Sequence, residues 1–493
     1  MDAAPRNAYA SQHPQVTHAL RELSAARPEY EKAKSFFEGT VPEVLAGEKL
    51  RRLFAGQGRH FRINYARTPV DLLTERTTVQ GWTCKDARQL KALNDAWEDN
   101  QLGIEAKDVH GKAYEFGDSY LIGWPDEDLP SRVSGYLHDP TSVRVFYDPE
   151  RPRVKSHAIH FWIEPGDEAN GLPEGKWHRV TLYYPDRVEQ WVSKQAAEDA
   201  TGNVNLIGDD GEYEQYVSPE GEAWPTENPT PGVIPVFHFR TGRPYGRPEH
   251  ADAYGPQEAI NKLLLSLMGA VDHVVLPKRY ITTDSALDGP PGAAADPFAA
   301  AVGETVIDPE GDPALTQIGL DPQSSMSDDP GDVWLMSGQN VRPGQFEPFD
   351  PAKLIGPIES LVQQMADVTD MPANRYHRGG TTPSGDSQRM DEAPLNNKAS
   401  DRHAQFGVTW HEWAAYVCLV NGLGDTDAQI AWGPPIQYND EQSWQTALLQ
   451  LKAGVPLEQV LKERGYGDEL ITAWIAAGAA QQPDQPASPP TAL

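Results

Sequence analysis

The chain has 493 residues and a formal net charge of −30, from 42 basic and 72 acidic side chains. With 39% hydrophobic and 23% charged residues it is not a disordered chain, and its length allows about two to four domains. The acidic excess is the reverse of the basic patch that grips nucleic acid, so either nucleic acid is not a partner or DNA passes without being held, and composition does not choose between the two. The cysteines, Cys84 and Cys418, supply neither a disulfide framework nor a cysteine zinc site, and read as buried free thiols in a reducing compartment. No basic segment followed by an apolar core opens the sequence, so no signal peptide is expected. The longest apolar stretch, 263–276, is broken by Ser266, Asp272 and His273 and is too short and polar to span a bilayer.

Taken in order, Tyr30, Ala33 and Phe37 fall at helical spacing ahead of Pro42. Helices are predicted over 66–76 and 86–100, the second with Leu90, Leu93 and Trp97 on one face. From 119 to 192 the signal changes to strands. Segment 142–148 (SVRVFYD) is β-branched and aromatic, and 148–152 is a turn. In 156–164 (SHAIHFWIE), Ile159, Phe161 and Ile163 alternate with His160 and Trp162, and Val180, Leu182 and Tyr184 continue the pattern. This predicts an antiparallel meander with one face buried. The run after Pro235 reads as one more strand, and 242–248 as a loop.

A strong helix is predicted over 256–276. Ile260, Leu264, Leu267, Val271 and Val274 form its apolar stripe, widened by Leu263, Met268 and Val275. Pro256 is tolerated in its first turn. Segment 277–350 is acidic and proline-rich, with Lys278, Arg279 and Arg342 its basic residues, and reads as strands and loops; 333–336 (VWLM) is its clearest strand. A second apolar helix covers 352–369, with Ile358, Leu361, Val362, Met365 and Val368 on one face. After the loop 372–385 a long helix runs to about 419, carrying Phe406, Trp410, Trp413 and Val417; Pro394 implies a kink or a later start. A short strand ends at Trp432, helices fit 441–452, 457–464 and 469–477, and the tail 481–493 has a disordered composition. The fold class is α+β.

Chemical motifs are sparse. Gly117-Asp118-Ser119 and Gly385-Asp386-Ser387 resemble the nucleophile block of one hydrolase class, but neither is followed by Leu. His411-Glu412 opens like a zinc-protease signature, yet Ala415 stands where the second His belongs. The glycine-rich 379–384 lacks the Gly-Lys-Ser/Thr of a phosphate loop, and Asp328, Asp329 and Asp332 read as a solvated acidic turn. No catalytic residue, metal ligand or cofactor site is expected. What remains is Asn374-Arg375-Tyr376-His377-Arg378, a small positive element in an acidic chain, read either as an ordinary solvated loop or as a phosphate-touching one.

Three stretches in order resemble the portal proteins of tailed bacteriophages, especially those of actinobacteria. The first is Tyr245-Gly246-Arg247-Pro248-Glu249 with AINKLLLSLMGAVDHVVLPKRYI after it. The second is Thr369-Asp370-Met371-Pro372, then Pro383-Ser384-Gly385 opening the long helix. The third is IAWGPPIQYNDEQSWQTALLQLKAGVPLEQVLKERGYG, from Ile430 to Gly467. Asn64-Tyr65 and Trp82 also fall where the family has an Asn-Tyr helix start and an apolar strand. Pro248 departs from the commoner Ser, and Pro256 and Pro394 are further departures.

The resemblance implies a non-enzymatic ring of about 12 subunits with closed cyclic symmetry. Its regions would be a wing (1–248), a stem helix (249–276), a clip (277–350), a second stem helix (351–371), a tunnel loop (372–385), a long helix with a return strand (386–440) and crown helices with a tail (441–493). It would sit at one capsid vertex of the virion, after assembly in the host cytoplasm. It would pass double-stranded DNA without sequence preference during packaging and ejection. Its other partners would be the terminase large subunit, a head–tail adaptor, and the major capsid and scaffolding proteins; no membrane is involved. Arg375, His377 and Arg378 would face the DNA. Ile260, Leu264, Leu267, Val271, Val274, Ile358, Leu361 and Met365 would pack the stem between subunits. The alternatives are a cytoplasmic serine hydrolase built on a Gly-Asp-Ser block, and another minor capsid protein.

Overall fold

A computed structural model describes residues 14–41, 63–126, 129, 131–167, 169–196, 213–217, 219, 223–275, 279–284, 333–338, 342–345, 350–376, 385–433, 440–462, 471–472 and 474–475. The chain divides into two units, 1–433 and 434–493.

The first unit opens on α1 (Pro14–Glu38), whose Val16, Leu20 and Leu23 are buried at one end and Tyr30, Ala33 and Phe36 at the other. After α2 (Thr68–Arg76) and β1 (Val79–Thr83), Asp86 caps α3 (Ala87–Asp99) by accepting from the Arg88 N–H at 2.8 Å. A further helix, α4 (Leu102–Phe116), is absent from the sequence-based reading. Its buried stripe Leu102, Ala106, Val109, Ala113 and Phe116 has helical spacing, but two of the five are alanines, which carry little hydrophobic signal. The helix stops at Gly117, whose φ is 92°. A Cβ there would come within 2.6 Å of the Gly246 and Arg247 backbone, so the glycine also permits a close approach between two chain segments.

The strands follow as β2 (Asp118–Pro125), β3 (Val133–His138), β4 (Val143–Tyr147), β5 (Lys155–Pro165), β6 (Lys176–Tyr183), β7 (Arg187–Ser193), β8 (Tyr213–Gln215), β9 (Thr226–Glu227) and β10 (Val236–Arg240). One sheet runs β4-β5-β6-β7-β8, with β9 also on β7; a second runs β10-β2-β3, and the pairings are antiparallel. The prediction of one buried face is corrected. Ile159, Phe161, Val180, Leu182 and Trp191 pack with Val16, Leu20 and Leu23 of α1. On the other side Val143, Val145, Ala158 and Tyr183 pack with Tyr120, Ile122 and Val236 of the second sheet. Alternation along β5 therefore separates two apolar environments rather than core from water.

The chain then takes a short 3-10 turn, Ala251–Ala253, into α5 (Tyr254–Val275), so the regular helix starts later than 249. Pro256 is the third residue of the helix, where no backbone N–H is required. Strands β11 (Arg279–Asp284), β12 (Val333–Gly338) and β13 (Arg342–Gln345) form a small sheet in which β11 pairs parallel to β12 and antiparallel to β13. The chain returns on α6 (Ala352–Thr369), which packs along α5. Helix α7 (Gly385–Val420) runs unbroken with Pro394 inside it, so the later start does not occur. Phe406, Trp410, Trp413 and Val417 are all buried in the main core, and β14 (Gln429–Trp432) closes the unit by pairing with β1. The core also holds His110. Its Nδ1 donates to the Thr77 carbonyl at 3.0 Å and its Nε2 accepts from the Trp410 indole at 2.9 Å, which fixes a neutral tautomer. Burial pushes its pKa down to about 3.

The second unit contains α8 (Asp440–Lys452) and α9 (Leu457–Lys462) packed together. Gly454, at φ 94°, ends α8, with the Val455 N–H bonded to the Gln450 carbonyl, and Pro456 leads into α9. The Gly-Val-Pro of the sequence is thus a helix stop followed by a helix start.

Candidate functional site

Helices α5 and α6 run antiparallel, because the C-terminal half of α6 lies beside the 3-10 turn and the start of α5. Their apolar positions divide largely into two sets, except that Val368, expected on the buried face of α6, is 50% exposed near the end of that helix. Ile260 and Met365 are fully buried in the main core, and Leu264, Ile358 and Leu361 are partly buried against it. Leu267 is half-buried. Farther along, Val271 is 44% exposed and Ile355 is 48% exposed. Val274 lies in α5, but its side chain is outside the described residues. Of the eight stem residues singled out in the sequence, Ile260 and Met365 thus belong to the chain's own core.

The bases of the two helices are tied down by polar residues that sequence periodicity did not mark. The Gln257 side chain accepts from the Tyr65 N–H at 2.8 Å and the Ala66 N–H at 3.1 Å, and donates to the Ile63 carbonyl at 2.6 Å. Asn64 donates to the Phe37 carbonyl at 2.7 Å. The Asn64-Tyr65 segment is thereby clamped between α1 and α5. Glu249, nearly buried, lies 3.0 Å from Lys398 and accepts from Arg402 at 2.6 Å, both on α7. Lys398 also lies 3.5 Å from the Thr369 carbonyl at the end of α6. One lysine therefore touches the loop that leads into one helix and the end of the other.

Helix α6 ends at Asp370, a left-handed residue with φ 58°, and the Met371 N–H bonds back to the Ala366 carbonyl. The chain turns through 3-10 residues Ala373–Arg375 to Tyr376, which is buried. The Tyr376 hydroxyl lies 3.0 Å from that of Thr369, and burial pushes its pKa up to about 12. Arg375 is exposed, yet its guanidinium lies 3.5 Å from Glu392 of α7. The other oxygen of Glu392 accepts from the buried Arg76 at 3.1 Å. The predicted cationic loop thus begins with an arginine leaning on a carboxylate. His377 and Arg378 lie outside the described residues.

The hydrolase-like blocks are placed as follows. Ser119 is fully buried and its hydroxyl donates to the Val109 carbonyl at 2.7 Å. Asp118 is the centre of a buried hub, accepting from His238 Nε2 at 2.8 Å, the Gly246 N–H at 2.7 Å and the Tyr30 hydroxyl at 2.8 Å. His238 Nδ1 in turn accepts from the Tyr147 hydroxyl at 2.8 Å. Burial raises the Asp118 pKa, but the bonds from His238, Gly246 and Tyr30 outweigh it and hold it below the ordinary value. Residues 385–387 begin α7, with their side chains outside the described residues. His411 Nδ1 donates to the Ala428 carbonyl at 2.8 Å, and Glu412 pairs with Lys155 at 2.6 Å. Among the described residues no three His, Cys, Asp or Glu side chains gather as a metal site, and no helix is long and apolar enough to cross a membrane. Both cysteines are free thiols, but only Cys418 is buried as expected; Cys84 is half-buried.

No family model matches the chain, and no curated protein matches it. Among solved structures, it is similar to a chain from the virion of a native gene transfer agent particle, at 13% identity and a TM-score of 0.40, covering 82% of this chain and 88% of that one. A chain from the neck of an empty gene transfer agent particle, computed with C6 symmetry, matches at 14% and 0.41, over 83% and 88%. One from the neck of a native particle, computed with C12 symmetry, matches at 12% and 0.39, over 87% and 92%. Similarity of this degree decides neither a residue's role nor a function.

Proposed function

We propose that this chain is a portal subunit: a non-enzymatic protein that forms a ring of about 12 copies around a DNA channel at one capsid vertex. The observation that carries the reading is the excursion on α5 and α6. The chain leaves its core on one apolar helix, forms a small sheet from β11, β12 and β13, and returns on a second helix alongside the first. Apolar side chains at Val271 and Ile355 stay exposed on that pair, as expected of surfaces sealed by neighbouring subunits. Two of the sequence stretches that resemble portal proteins fall on this framework, Glu249 at the base of α5 and Asp370-Met371-Pro372 at the end of α6; the third supplies the α8–α9 junction of the second unit.

In this reading the net charge of −30 has a function. Firm phosphate contacts supply most non-specific DNA affinity and would brake a sliding duplex, whereas an acidic wall repels it. Arg375, His377 and Arg378 would make brief backbone contacts, with Glu392 competing for Arg375. The clip sheet would meet the packaging terminase and then the head–tail adaptor, while capsid and scaffolding proteins surround the ring. The burial of Ser119 in a backbone hydrogen bond speaks against the hydrolase alternative at that block.

The deciding experiment is the mass of the purified protein with negative-stain imaging of any large species. A ring of about 12 subunits with a central hole is expected. Monomers alone, both in the purified protein and in protein released from assembled particles, would sink the reading. Replacing Arg375 and Arg378 by Ala should reduce DNA retention; unchanged packaging and retention would remove the role given to the loop.

A further inference from the structure

An open cavity of about 310 Å³ lies between the turn joining β4 to β5, strand β10 with the loop after it, and helix α7. Arg153, Lys155, Arg240 and Arg243 line it, against a single carboxylate, Glu412. That carboxylate is already engaged, since Lys155 donates to it at 2.6 Å and to the Val236 carbonyl at 2.9 Å. Arg240 is held in place, its guanidinium 4.5 Å above the Tyr147 ring and bonded to the Pro244 carbonyl. Arg153, Arg240 and Arg243 have no carboxylate within pairing distance among the described residues. The floor is rigid: His238 is locked between Asp118 and Tyr147, and Thr409 donates to the His238 carbonyl at 3.0 Å.

Three guanidinium groups around one cavity, without a carboxylate partner among the described residues, repel one another, in a chain that has 72 acidic residues. Arginine presents a planar fork of donors matched to tetrahedral and planar oxyanions. The volume falls at the small end of ligand pockets, wide enough for phosphate or pyrophosphate and too narrow for a duplex to enter. We propose that this cavity binds a phosphate-type oxyanion, held by Arg153, Arg240 and Arg243. None of the residues lining the cavity belongs to α5, α6 or the Arg375 loop, and the proposal does not depend on the ring reading.

The test is calorimetric titration of the full chain with pyrophosphate at low ionic strength. R153A/R243A is the informative variant because both side chains are exposed, so the fold, checked by circular dichroism, should persist. Binding should weaken about tenfold or more, as loss of charge-assisted hydrogen bonds implies. The control K91A/R132A, in a separate cavity lined by Lys91 and Arg132, should bind as the parent does. Absence of binding, equal affinity in R153A/R243A, or an equal loss in the control would overturn the proposal. A short DNA duplex added in competition identifies the source. Displacement of pyrophosphate would assign the phosphate to a DNA backbone at the cavity mouth, and retention would assign it to a free small anion.

Discussion

The near and far ends of the α5–α6 pair are made from the same kinds of residue but sit in opposite surroundings. At the near end Ile260 and Met365 are buried in the main core, and Glu249, Gln257 and Lys398 fix the helices to their neighbours. Toward the far end Val271 and Ile355 face outward. A continuous apolar stripe therefore serves two purposes. Its near half stabilises the folded chain, and in the portal reading its far half waits for another subunit. The lesson is that helical periodicity marks a face for burial without saying by what.

This contrast can be broken first at Glu249. Glu249→Ala leaves Lys398 and Arg402 without their partner in a partly buried setting and should cost about 3–5 kcal/mol in urea unfolding. Ile260→Ala and Met365→Ala should each cost about 2–4 kcal/mol, the range for cavities in a packed core. Acid should loosen the main core as well. The folded-state pKa of His110 is depressed to about 3 from 6.5, so its neutral form contributes fully above the unfolded value. Below that value protonation favours the unfolded chain, and the contribution is lost as pH falls; at pH 4 the loss is about 3 kcal/mol. His110→Gln should flatten the stability–pH profile between pH 6.5 and 4. Arg375→Ala should cost under about 1 kcal/mol, because the pair with Glu392 is exposed. At the far end Val271→Asp and Ile355→Asp should change the stability of the single chain by about 0.5 kcal/mol or less. They should nevertheless shift its mass distribution toward smaller species. Strong unfolding by these two changes would show that the far end is also part of the core.

Much of the framework was legible from local pattern. The apolar steps around Ile260, Met365 and Trp410 located α5, α6 and α7, because long side chains at helical spacing give an unambiguous signal. Helix α4 escaped because Ala106 and Ala113 sit where larger residues would have announced it. The two-sided burial of β5 escaped because His160 and Trp162, on the face of Ala158, read as a solvated side, and Ala158 alone carries little hydrophobic signal. The junction at Glu249 was invisible for another reason. Its hydrogen-bonding partner Arg402 is 153 positions away, and a lone glutamate in a loop carries no mark of the charge it will meet. Asp118 likewise read as part of a tripeptide motif, while its partners Tyr30, His238 and Gly246 come from three distant segments.

The position of Lys398 has a mechanical consequence. It reaches Glu249 in the loop leading into α5 and the Thr369 carbonyl at the end of α6, so the pair is anchored at both roots to one helix. A torque applied at the distant tips cannot twist one root without loading the other, and the load passes into α7. The pair should respond as a braced lever, moving α7 with it, rather than as two independent springs.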